Sequence, residues 1–207
     1  YNIAAMLILA LETATRGGSL ALVGAGERHA MTGDPSRTHG VRLPQELFDF
    51  VARQGRSIAD LDFLCAVSGP GSFTGLRTAC SVAQGLAFGA GVPVLPVDSL
   101  LAVAEEARFA ALAAQPTGVV TALLDARMEE MYCATYAFAD KQWTPLQGSA
   151  LVQPEKLHRL PADHSAPPTP WLLAGNVFAV YGERVAAEDP SGATAQRIAA
   201  LPTAAAI

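Results

Sequence analysis

The densest run of chemically suggestive residues is Ser68-Gly69-Pro70-Gly71-Ser72-Phe73-Thr74-Gly75-Leu76-Arg77. It joins an apolar stretch, Phe63–Ser68, to a segment of helical character. A glycine loop between a buried strand and a helix aims backbone N–H groups and the positive end of the helix dipole at one spot. Such a spot suits an anion, often a phosphate. Gly69, Gly71 and Gly75 allow positive φ or close approach. Ser72 belongs to the same candidate loop, Thr74 is a candidate cap, and Arg77 adds a cation in the first turn. The alternative is that the glycines only make a tight turn and let neighbouring elements pack closely. Spacing alone leaves the two readings level. No Gly-Lys-Ser/Thr follows, so this is not a Walker loop.

Other groups are less suggestive. Glu12, Asp98 and Asp125 fall at the ends of strand-like runs. Carboxylates there can do acid–base work, but they are also ordinary caps and turn formers. The histidines are His29, His39, His158 and His164. No two stand at i, i+4, and there is no Cys-x-x-Cys, so no metal site is expected. Gly71-Ser72-Phe73-Thr74-Gly75 has the outer glycines of a nucleophile elbow but the wrong interior, which argues against a serine hydrolase. Cys65, Cys80 and Cys133 are odd in number, widely spaced and set in apolar runs. They read as reduced thiols of a cytoplasmic protein.

These residues need elements to hold them. Leu7–Leu11, Ser19–Val23 and Arg28–Thr32 read as strands joined by glycine turns. Val41–Gln54 reads as a helix with an apolar stripe of Leu43, Leu47, Phe48 and Val51. Pro44 confines the start of that helix to Arg42 or Leu43, and Gly55 suits its stop. Ser57–Asp60 has capping-box spacing. Phe63–Ser68 is a buried strand, Gly75–Gly89 a helix, Val92–Val97 a strand and Ser99–Leu112 a helix. Gln115-Pro116-Thr117-Gly118 marks a boundary, which places one domain at 6–113 and a smaller one at 114–207. In the second, Val119–Asp125, Met131–Phe138 and Trp171–Ala174 read as strands. Leu160–Pro170 reads as a loop, and Val177–Glu188 and Thr194–Leu201 as helices. The last helix is a candidate to pack back on the first domain.

Composition narrows the function. The 207 residues are 51% apolar and 16% charged, with a net charge of −5. An ordinary soluble domain is roughly 25% charged. Yet no run reaches the ~18 consecutive apolar residues of a membrane span, so no membrane is expected. An acidic chain without a basic run is a poor grip for nucleic acid by itself. Small residues line Gly75–Gly89, and both that helix and Val41–Gln54 are more apolar than one buried face needs. Such an excess stripe is how a subunit interface shows in sequence.

Several of these segments carry a family resemblance. They are Leu9-Ala10-Leu11-Glu12-Thr13-Ala14-Thr15, the Ser68–Arg77 run, Gly85-Leu86-Ala87-Phe88-Gly89 and Val92-Pro93-Val94. Asp125-Ala126-Arg127-Met128 with Glu130 and Tyr132, and Gly175-Asn176, extend the match. Together they closely resemble the TsaB (YeaZ) family from Met6 to about Ile198. That family often has Asp where Glu12 stands.

The resemblance implies an actin-like ATPase (ASKHA) fold, α/β, with two RNase H-like subdomains of mixed sheet flanked by helices. It implies a non-catalytic partner of TsaD in making N6-threonylcarbamoyladenosine beside the anticodon of tRNAs reading ANN codons. TsaD would bind as a heterodimer, the ATPase TsaE would join, a homodimer would form when TsaD is absent, and tRNA would be met only through the complex. The partner-binding residues are then expected to be Leu47, Val51, Leu76, Ala79, Ala83 and Ala87. No cofactor is firmly implied, beyond weak ATP or ADP at a subunit interface. TsaD-type chains carry two metal-binding histidines at i, i+4 where this chain has Ser99 and Val103. Neither replaces an imidazole, so a catalytically inactive paralogue is expected. The alternatives are a glycoprotease-type peptidase or a stand-alone nucleotide-binding protein of the same fold.

Overall fold

The computed structural model describes residues 6–15, 17–24, 26–34, 42–157, 170–185 and 195–207. They form two compact units, one of residues 1–99 with 202–207 and one of residues 100–201.

In the first unit, β1 (Ile8–Glu12), β2 (Ser19–Gly24) and β3 (Glu27–Thr32) form an antiparallel meander. Helix α1 (Leu43–Arg53) follows, then β4 (Phe63–Gly69), α2 (Phe73–Ala90) and β5 (Val94–Asp98). β4 pairs parallel with β1, and β5 with β4, which gives the order β3-β2-β1-β4-β5. Pro44 occupies the first turn of α1. The Ser57 spacing makes a single 3-10 turn, where the Asp60 carboxylate accepts bonds from the Ser57 N–H and hydroxyl. These bonds hold Asp60 below the usual carboxylate range.

One face of this sheet, with Leu9, Leu11, Leu20, Leu22 and Leu64, packs under α1 and α2. The register places Ala30, Ala21, Ala10, Cys65 and Leu95 in one row on the other face. Small side chains there let a chain segment lie close. Ala204 packs on Ala10, Ala21 and Cys65, and its N–H donates to Ser19 Oγ at 2.8 Å.

The second unit begins with α3 (Ser99–Ala111). Then come β6 (Thr117–Arg127), β7 (Glu130–Ala139), β8 (Gln142–Val152), β9 (Trp171–Gly175), the short α4 (Phe178–Tyr181) and β10 (Gln196–Ala199). The order is β10-β9-β6-β7-β8. Position for position this repeats the first sheet, with an antiparallel meander followed by two parallel strands. Leu100, Val103, Ala104 and Ala107 of α3 pack on Val120, Ala122, Leu124 and Leu172. Val177, Tyr181 and Val185 pack on the opposite face with Val119, Leu123, Cys133 and Leu173. Among the described residues no helix is long and apolar enough to cross a membrane.

Four expectations are corrected. The boundary falls at Ser99/Leu100 rather than 113/114, because the apolar side of α3 belongs to the second core. The segment that joins the first unit is 202–207, with a turn at 204–206, and not the expected helix over 194–201. Gln196–Ala199 is a strand, because pairing with Leu172–Gly175 outweighs the helical propensity of the Thr194–Leu201 segment. Helix α4 ends at Tyr181 and is followed by a 3-10 turn, Gly182–Arg184. Strand β8 had no sequence signal. It is an edge strand with interrupted register and little burial, so it lacks a clean alternation. Residues 186–188 of the expected helix, residues 160–169 of the expected loop, His39, His158 and His164 lie outside the described residues.

Candidate functional site

Helix α2 follows β4 through the loop Pro70–Ser72, entered by a cis Gly69–Pro70 bond. The cap is Ser72, whose Oγ accepts from Gly75 N, rather than Thr74. The helix is pressed against the loop that leaves β1. Thr13 Oγ1 donates to Gly75 O at 2.8 Å, and Ser72 N donates to Ala14 O at 3.0 Å. A Cβ on Gly75 would lie 1.8 Å from the Thr13 carbonyl oxygen, and one on Gly71 would lie 2.6 Å from Ala14 Cβ. Close packing therefore accounts for both glycines. It also engages two of the N–H groups that a bound anion would need.

Glu12 ends β1, one residue before Thr13 of this contact. Both carboxylate oxygens accept from Thr15, one from its N–H and one from its hydroxyl, each at 2.9 Å. Burial nevertheless dominates and pushes the carboxyl up to about 7. Asp125 sits in the second sheet near the end of β6. It accepts from Arg127 N–H and the Tyr181 hydroxyl, and the Arg127 guanidinium lies 3.1 Å away. Burial, then the bond to Asp125, raises the Tyr181 hydroxyl to about 12. Asp98 ends β5. Among the described residues no group of three His, Cys, Asp or Glu side chains is placed to hold a metal.

The partner-binding expectation divides. Leu47, Val51, Ala79 and Ala83 are buried in the core of their own unit, so they cannot face a partner. Leu76 is half-buried against that same core, and Ala87 is half-buried. The outward stripe of α2 is different: Phe73, Arg77, Cys80, Ser81, Gln84, Gly85 and Phe88. Phe73 and Phe88 are 74% and 93% exposed. They stand about 22 Å apart along the helix at 1.5 Å per residue. Between and beside them, a Cβ on Gly85 or Gly89 would meet nothing within 4 Å. Arg77 lies over the Phe73 ring at 5.3 Å. On α1 the outward apolar group is Phe48. Periodicity revealed an apolar excess on α2. It could not say which side faced the core, because small residues fall on both sides, Ala79 and Ala83 inward and Ser81, Gly85 and Gly89 outward.

Residues 33–203 match the family model described as TsaD, tRNA N6-adenosine threonylcarbamoyltransferase. The chain is similar to the tRNA threonylcarbamoyladenosine biosynthesis protein TsaB of Haemophilus influenzae, at 39% identity over 61% of this chain and 52% of that protein. It is similar to the Escherichia coli protein of the same name, at 36% identity over 74% of this chain and 65% of that one. The matched region thus spans about half to two-thirds of the length of these curated relatives. Among solved structures, YeaZ from Pseudomonas aeruginosa superposes with a TM-score of 0.80 at 30% identity, covering 97% of this chain and 88% of that one. Two mixed sheets of repeated topology, the glycine contact at α2 and these likenesses agree on an α/β actin-like fold with two subdomains, and the chain belongs to the TsaB/YeaZ family.

Proposed function

We propose that this chain is a non-catalytic scaffold or activator subunit in the bacterial synthesis of N6-threonylcarbamoyladenosine in tRNA. The relatives' names carry that biosynthetic role. The observation that carries the scaffold reading is the outer side of α2. It holds two phenylalanines in water at the ends of a strip of small and polar residues. Exposed aromatic anchors on a rigid helix are what a subunit interface uses.

In this reading a TsaD-type partner covers α2 and catalyses threonylcarbamoyl transfer to the adenosine beside the anticodon. TsaE joins the assembly, and a second copy of this chain takes the same face when TsaD is absent. The partner holds the tRNA, since a net charge of −5 disfavours phosphate contact here. The glycine loop serves to set α2 rather than to hold ATP or ADP. Ser99 and Val103 support the absence of catalysis. Both are buried, Val103 within the second core.

The test is tRNA modification reconstituted with TsaD and TsaE, with and without this chain, all in cytoplasm-like buffer. Modification is expected to require the chain. Phe88→Arg is expected to abolish co-elution with TsaD while leaving the thermal midpoint unchanged. Undiminished co-elution would remove α2 from the interface. Peptide cleavage or ATP turnover by the chain alone would overturn the scaffold reading.

A further inference from the structure

Glu12 is 1% exposed, and its two carboxylate oxygens accept the N–H and the hydroxyl of Thr15. A side chain that bonds its own backbone a few residues on closes a turn. Here the closed turn carries a load. Thr13 Oγ1 donates to Gly75 O, and Ala14 O accepts from Ser72 N. Ala14 Cβ occupies the place that a side chain on Gly71 would need. Ser72 caps α2, and Phe73 is the first residue of that helix. The first turn of α2 is therefore fastened to a turn that one carboxyl closes. Phe73, exposed and with Arg77 over its ring, stands directly on that fastening.

The charge on Glu12 makes the closure adjustable. Of the elements beside it, β2 carries no titratable residue, and β4 carries the Cys65 thiol, whose ionisation burial opposes. Helix α2 carries Arg77 and the Cys80 thiol, both exposed on its outward stripe, and β5 ends in Asp98. Arg16 lies outside the described residues. Among the described groups, burial raises the Glu12 carboxyl to about 7, and bonds from Thr15 and Ala14 oppose the rise. With its proton on, the carboxyl keeps both contacts: one oxygen accepts the Thr15 N–H and the other donates to Thr15 Oγ1. No charge is then buried. With the proton off, an open turn solvates the carboxylate better than a closed one.

We propose that Glu12 is a positioning residue for the partner face of α2: by closing the Thr13–Thr15 turn it sets the first turn of the helix and the stance of Phe73, and loss of its proton loosens both. The consequence for a partner rests on the scaffold reading, whereas the coupling itself belongs to the free chain.

The test places 4-fluorophenylalanine at position 73 of the full chain and, in a second sample, at position 88, 15 residues further along the same helix. Fluorine NMR of the free chain is followed from pH 5.5 to pH 8.5. The signal at 73 is expected to titrate with a midpoint near 7, and the signal at 88 to move less. Glu12→Gln accepts from the Thr15 N–H and donates to Thr15 Oγ1 without a titrating proton, so it is expected to abolish the titration at 73. Thr15→Val removes a bond that favours the charged form and is expected to raise the midpoint. A flat wild-type signal at 73, a titration that survives Glu12→Gln, or an unmoved midpoint in Thr15→Val overturns the proposal. In a second arm, affinity for TsaD is measured at pH 6 and pH 8. It is expected to fall about threefold or more in the wild type, and by less in Glu12→Gln. An equal fall in both chains overturns the link from the turn to the partner face. Absence of wild-type binding at both pH values removes the scaffold reading, and the fluorine titration then decides the coupling by itself.

Discussion

The two sheets share a strand order and differ in what covers them. In the second unit, α3 packs on one face, and Val177, Tyr181 and Val185 pack on the other. In the first unit both long helices lie on the same face, and the cluster on the other face is four small residues, Ala10, Ala21, Cys65 and Ala204. The same difference recurs at the strand ends. Asp125 is met by Arg127 and Tyr181, whereas among the described residues Thr15 and Ala14 are what offset the burial of Glu12. A repeated topology can thus become one unit with a carboxylate paired by an arginine at its strand end, and another with a helix face open and a carboxyl held by neutral donors. The second kind is suited to assembly.

Each unit has one glycine at which this comparison can be broken hardest. A Cβ on Gly75 would meet the Thr13 carbonyl oxygen at 1.8 Å, and one on Gly175 would meet the Leu123 carbonyl oxygen at 1.8 Å. Backbone cannot yield as a side chain tip can, so Gly75→Ala and Gly175→Ala are each expected to cost about 3 kcal/mol or more. Native-state hydrogen exchange separates them. Gly75→Ala is expected to speed exchange in β1, β4 and α2, and Gly175→Ala in β6 and β9. Equal acceleration across the chain in both variants would mean that the two sheets unfold as one.

Glu12 supplies the next effect. Its folded pKa is about 7 against an ordinary 4.5. Between those values the folded chain binds more protons than the unfolded one, so stability falls as pH rises through that window. The whole fall is about 3 kcal/mol. Denaturant midpoints of the wild type at pH 5, 6, 7 and 8 are expected to decline and then level off. Glu12→Gln is expected to flatten this decline. A slope that survives the substitution would place its source elsewhere.

The cysteines probe the thin cover of the first sheet. Cys65 and Cys133 are buried and Cys80 is exposed. Burial raises both buried thiols, Cys133 to about 12. Ala204→Asp puts a carboxylate against Ala10 and Ala21 and is expected to cost about 2 kcal/mol. A thiol reagent is then expected to label Cys65 as well as Cys80, while Cys133 stays protected. Labelling of Cys133 at the same rate would show that the tail supports both units.

What could be read in the sequence follows from where each element finds its partners. Strands β1 and β4 announce themselves as apolar runs, because burial on both sides leaves little room for polar residues. The glycine loop was visible but ambiguous, since the group that excludes a Cβ at Gly75 belongs to Thr13, 62 positions away. The apolar excess of α2 was visible too. Its division into a core side with Ala79 and Ala83 and an outer side with Phe73 and Phe88 depends on how the helix is rolled on the sheet. Strand β10 carries a helical signal because Ala195, Ala199 and Ala200 in and beside it favour a helix until a neighbouring strand offers a ladder. Nothing local joins the partners of Asp125, which are Arg127 of β6, Asn176 just after β9 and Tyr181 of α4.

The smallest effect tests where the units divide. Arg108 on α3 gives both guanidinium arms to Glu105 at 2.7 Å and lies between the rings of Phe109 and Phe138 at 4.5 and 4.6 Å. Trp143 on β8 donates its indole N–H to the same Glu105 at 2.9 Å. This cluster ties α3 to the strands of the second sheet and draws the boundary at Leu100 rather than in the proline-marked segment further on. Arg108→Ala leaves Glu105 with the Trp143 indole as its remaining donor in the cluster and is expected to cost about 1–2 kcal/mol. Arg108→Lys keeps the charge but loses the fork, so it is expected to recover less than half. The loss is expected to appear as faster exchange in α3, β7 and β8 and not in β1 or β4. Faster exchange in the first sheet would instead assign α3 to the first unit and return the boundary to the Gln115–Gly118 segment. That outcome would give the first unit a third helix of its own, and the contrast between an open unit and a closed one would fail with it.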